Sequence, residues 1–129
     1  MRRETDARDR SIYESLSSKY DDFLTLALSN SDLGLSTREA LPDASAEQKE
    51  RISLLFELLI SLFERAYVLT YSNHMTQAQA RRWSFWERYM EDWCKRDDFR
   101  HRLSDLLFGF DPDFTIYILN IAERTKNIR

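Results

Sequence analysis

The stretch ISLLFELLISLFERAYVLTY, Ile52 to Tyr71, decides the fold. Ser53, Glu57, Ser61 and Glu64 fall in one narrow stripe on a wheel of 3.6 residues per turn. Leu54, Leu55, Phe56, Leu58, Leu59, Ile60, Leu62 and Phe63 cover nearly all of the remaining circumference. A helix apolar over most of its surface has to be surrounded by others, so this one is expected at the centre of a bundle. It is long enough to raise the question of a membrane span. Glu57, Glu64 and Arg65 lie at depths where charge is costly in hydrocarbon, so no direct membrane insertion of this segment is expected. Ser45 followed by Gln48 is a capping-box pattern and places the helix start near 46.

On the N-terminal side, Ile12, Leu16, Tyr20, Phe23, Leu24 and Ala27 share one helical face and predict a helix from about Asp9 to Asn30. Between the two helices the rhythm is lost. The segment 31–44 holds Gly34 and Pro42 and reads as a connection, tacked onto the bundle by Leu33, Leu35 and Leu41. On the C-terminal side, Thr76 with Gln79 offers a second capping box, and Trp83, Trp86, Met90 and Trp93 form a seam on the helix that follows. Its opposite face carries Arg88, Glu91, Asp92 and Lys95, with Arg88–Asp92, Glu91–Lys95 and Asp92–Arg96 spaced for ion pairs. Asp97 is expected to cap a short helix that stops at Gly109. Asp111-Pro112 then opens a last helix with Phe114, Tyr117, Ile118 and Ile121 on its inner face.

The chain is thus expected to be all-α, a compact bundle of four main helices plus one short helix. Residues 1–129 form a single domain, with 1–8 a flexible arm. With 43% hydrophobic and 13% aromatic residues, 129 residues supply ample material for a core. A formal net charge of −3 argues against a nucleic-acid binder. One cysteine, Cys94, excludes an intrachain disulfide framework and suits a reducing compartment, and no secretory signal follows Met1.

The pieces Leu62-Phe63-Glu64-Arg65-Ala66-Tyr67, Trp83-Ser84-Phe85-Trp86 with Tyr89, Phe99-Arg100 and Phe110-Asp111-Pro112-Asp113-Phe114 resemble an uncharacterised bacterial helical domain family. The likeness runs from about Ile12 to Ala122. Members often carry this domain on the cytosolic side of one or two transmembrane helices. The resemblance therefore implies a cytoplasmic location, at the inner face of a membrane, and implies no reaction. This sequence departs from it in having no transmembrane segment of its own.

Each candidate for chemistry has a plainer alternative. His101 lies four residues from both Asp97 and Asp105, but one imidazole and two carboxylates on a charged helix read as exposed pairs, and no metal site or cofactor is expected. Cys94, beside Trp93, reads as core filler. Glu57 and Glu64 would suit acid–base work only with further groups that the sequence does not place beside them, so no catalytic residue is assigned. The clusters Arg81-Arg82 and Lys95-Arg96 with Arg100 and Arg102 read as a solvated face. Tyr67, Tyr71, Trp83, Trp86, Tyr89 and Trp93 read first as core. They are also the candidate lining of a ligand pocket.

Phe108, Ile116 and Leu119 project away from the inner faces of their helices and are the candidate partner-binding residues. The function expected is a non-catalytic regulatory or protein-interaction module, with a protein partner or self-association. The alternative is a small-ligand sensor with an aromatic pocket between helices. A bound molecule or an empty enclosed pocket beside Trp83 and Trp86 would favour the sensor, and a solid core there the interaction module.

Overall fold

The computed structural model describes the backbone of residues 2–126 and the side chains of 5–126. Five helices account for most of it: α1 (Arg2–Ser29), α2 (Ala46–Thr70), α3 (Gln77–Cys94), α4 (Asp97–Leu106) and α5 (Pro112–Thr125). Among the described residues there is no strand, and no helix is long and apolar enough to cross a membrane. Residues 2–8, expected as an arm, continue α1 without a break, because nothing in the run up to Asp9 stops a helix. Asp9 is also held from outside: its Oδ2 accepts from Gln79 Nε2 at 2.8 Å.

Both capping boxes form. Ser45 Oγ accepts from the Gln48 amide at 3.1 Å while Gln48 Oε1 accepts from the Ser45 amide at 2.9 Å. Thr76 and Gln79 make the same exchange at the start of α3. Asp111 caps α5 as expected, its Oδ2 accepting from Phe114 N at 3.0 Å. Asp97 does not cap α4: it is already the first helical residue, Arg96 holds the cap position, and Asp97 pairs with Arg100 instead.

Helix α2 packs against each of the other four, so its central position holds. Its complete enclosure does not. Leu54 remains 59% exposed, and Leu58, Val68 and Leu69 are also exposed, because the neighbours cover only part of its circumference. The polar stripe is the better covered side in places. Ser53 Oγ accepts from Arg102 at 2.8 Å, and Glu64 Oε2 accepts from the backbone N–H of Asp111 at 2.6 Å. Glu64 thereby anchors the corner between α4 and α5, where Gly109 takes the left-handed conformation (φ 87°) that glycine adopts without a Cβ penalty.

The connection between α1 and α2 is built inward. After a 3₁₀ turn at Ser31–Leu33 and a left-handed Gly34, Leu33 and Leu35 are buried in the main core and Leu41 packs on it. Arg96, expected on a solvated face, is 1% exposed. It donates to the carbonyls of Gly34 (2.8 Å) and Thr37 (2.9 Å), forms a two-point contact with the Asp98 carboxylate (3.0 and 2.9 Å), and lies 5.9 Å from the Phe56 ring. A buried guanidinium is tolerated because its donors are met and its charge is neutralised. The other ion pairs also differ from the expected spacing: Asp92 takes Lys95 and Glu91 takes Arg124.

Candidate functional site

The seam of α3 faces inward as the spacing predicts: Trp83, Trp86, Met90 and Trp93 are all buried. Two of the three indoles find a tyrosine hydroxyl on another helix. Trp93 Nε1 donates to Tyr20 Oη of α1 at 3.0 Å, and Trp83 Nε1 donates to Tyr117 Oη of α5 at 2.9 Å. Tyr117 in turn donates to Glu87, and its burial pushes its hydroxyl pKa well above the ordinary tyrosine range. Trp86, between them, is wholly buried among Tyr20, Phe63 and Tyr89, and its Nε1 has no hydrogen-bond partner.

Around Trp86 the core is solid on the side of Tyr20, Phe63 and Tyr89 and open at one edge. A cleft of about 210 Å³ lies where α1, the end of α2 and the start of α3 meet. Helix α1 lends it Asp9, Ile12 and Tyr13, and the end of α2 lends Leu69, Tyr71 and Ser72. Gln79, Arg82, Trp83 and Trp86 come from α3. Arg82 is half-buried and makes no ion pair or hydrogen bond among the described residues. On the far side of Tyr71 a wider, more open groove of about 560 Å³ runs between α2 and α5, with Tyr67, Tyr117, Val68 and Ile116 in its walls and Asp111 and Asp113 at its edge. Tyr71 and Ser72 border both depressions.

The six aromatic candidates therefore separate. Trp83, Trp86 and Tyr71 line the cleft, while Tyr67 and Tyr71 line the groove. Tyr89 lies flat on Tyr20 at 4.3 Å and belongs to the packing. Trp93 sits at the opposite end of α3, against an apolar hollow formed with Leu24, Ala27, Leu28 and Leu35. Asp9, Gln79 and Arg82 complete the cleft but escape sequence reasoning. They lie near the starts of two helices that meet only in the fold.

Phe108, Ile116 and Leu119 are exposed by 94%, 60% and 40% respectively. Among the described residues no three of His, Cys, Asp and Glu come together as a metal cluster. Burial pushes the Cys94 thiol up to about 12, so it stays protonated and unreactive at neutral pH, and its backbone carbonyl accepts from Arg100. Glu64 is occupied by the Asp111 amide, which separates it in role from the exposed Glu57. No family profile, curated protein or solved structure matches this chain.

Proposed function

We propose that this chain is a non-catalytic regulatory or protein-interaction helical module, working at the cytosolic face of a membrane-associated system. One observation carries it. Phe108, 94% exposed, stands on an ordered corner that Gly109, the Glu64–Asp111 hydrogen bond and the Phe110–Phe114 contact hold in place. Ile116 and Leu119 add further exposed apolar surface on α5, the helix that follows the corner. Large apolar side chains presented on fixed elements are what a partner surface needs. A second copy of the chain is the simplest cover, since one surface then serves both subunits. Of the groups weighed for chemistry, Cys94 is buried and Glu64 is committed to a backbone amide.

Sedimentation of the wild type and of Leu119→Glu tests the surface. An associating wild type and a monomeric variant support it. A wild type that is monomeric at micromolar concentration, or a variant that associates as before, removes this surface from self-association.

A second reading, a small-ligand sensor, is favoured by the cleft that Trp83 and Trp86 help to line. Binding there would be seen as a saturable change in tryptophan fluorescence.

A further inference from the structure

We propose that the cleft between α1, α2 and α3 receives a small aromatic carboxylate, its ring against Trp83 and its carboxylate on Arg82. The proposal rests on the ligand-sensor reading and gives it a chemical class. Size comes first. A cavity of about 150 Å³ admits benzene, and this cleft measures about 210 Å³, room for a ring and a short acid arm.

Charge comes second. Among the described residues Arg82 is the one basic residue in the lining, half-buried and with its side chain in no ion pair or hydrogen bond. A partly buried guanidinium beside aromatic rings favours a planar carboxylate, which it meets with two parallel donors. Asp9, an acid of the same lining, is not ion-paired with Arg82 and already has its Oδ2 occupied by Gln79 at 2.8 Å. Among the described residues the cleft thus offers one free cation and one partly satisfied anion.

The third observation is Trp86. Wholly buried N–H groups are almost always paired. The two neighbouring indoles of the same seam have tyrosine acceptors, yet Trp86 Nε1 has none. Trp86 is also part of the cleft lining, so its indole lies beside a ligand seated there. Cleft and cation ask for the same thing: an apolar body with acceptor atoms at one end.

Titration of the full chain with phenylacetate, benzyl alcohol and benzylamine tests this, followed by tryptophan fluorescence, Tm and the indole N–H resonance of Trp86. Phenylacetate is expected to saturate, raise Tm and shift that resonance, with benzyl alcohol weaker by about tenfold or more. Arg82→Gln, checked for helix content by circular dichroism, should remove the preference for phenylacetate while leaving benzyl alcohol binding in place. If alcohol and acid bind equally, or Arg82→Gln changes nothing, the carboxylate class is wrong although the cleft still binds ligands. Tighter binding of benzylamine assigns the site to Asp9 and also overturns the proposal. If none of the three binds at millimolar concentration, both the class and the sensor reading fall.

Discussion

The two ends of the α3 seam use the same hydrogen bond in opposite surroundings. At one end Trp93 donates to Tyr20 and packs against Phe23, Phe56 and Phe99, all fully buried. At the other, Trp83 donates to Tyr117 and packs against Tyr67, Tyr71 and Tyr117, none of them fully buried. Phenylalanine can be enclosed without a polar cost, whereas a tyrosine hydroxyl needs a partner or water. The choice of ring therefore follows the enclosure of the partners: the phenylalanines around Trp93 are fully buried and the tyrosines around Trp83 are not, although a hollow also lies against Trp93 itself. The cleft and the groove both lie at the tyrosine end.

The largest expected effect comes from the residue both ends share. Trp86→Ala should cost about 3–5 kcal/mol in denaturant unfolding by leaving a cavity at the junction of three rings. A loss under about 1 kcal/mol, typical of a surface change, would mean the seam is not one continuous core. Arg96→Ala, beneath the phenylalanine end, should cost about 3 kcal/mol, toward the low end for breaking a buried pair because Asp98 keeps some contact with water.

The comparison itself is tested by removing one hydroxyl at each end. Tyr20→Phe strands the Trp93 N–H in a dry setting and should cost about 1–3 kcal/mol. Tyr117→Phe leaves Trp83 and Glu87 near the open groove, where water can replace the hydroxyl, and should cost about 1 kcal/mol or less. Equal losses would show that the two ends are equally sealed.

The smallest effect lies away from the seam. Arg51, with help from Gln48, holds Asp32 at about 2, below its ordinary 3.8. A depressed carboxylate contributes stability that is present above about pH 4 and lost as pH falls toward 2. Asp32 is solvent-exposed, so the contribution is screened and modest. Thermal melts should therefore show Asp32→Asn slightly less stable than wild type at pH 7 and the two converging near pH 2. A difference that persists at pH 2 would trace to something other than this ion pair.

Features written within a few residues of one another were legible in the sequence. Both capping boxes, the Asp111 cap and the inward seam of α3 depend on spacings of three or four, which the helix itself enforces. Features made by distant segments were not. Arg96 turns inward to meet the carbonyls of Gly34 and Thr37, and backbone carbonyls in an irregular segment leave no mark in side-chain sequence. Leu54 and Leu58 lie outside because the apolar character of a helix states what can be buried, while the number of neighbours decides what is. Of the candidate cleft, the aromatic floor was visible as a stripe. Arg82 was seen only as part of a basic pair, because its use depends on where the start of α1 comes to rest.

The Arg96 contacts also bear on the order of assembly. They join residues 62 and 59 positions apart, whereas α1 and α2 are consecutive and can meet as soon as the chain between them turns. Closing the longer loop adds only a fraction of a kcal/mol per doubling of length, but it must await the arrival of α3. The connection after Gly34 has no regular hydrogen-bond ladder of its own, so its polar anchoring waits for the end of α3 to dock. Folding would then close this connection late, and unfolding would release it early. Amide hydrogen exchange in the segment around Thr37 would run ahead of exchange in α2, marking where the native chain first comes open.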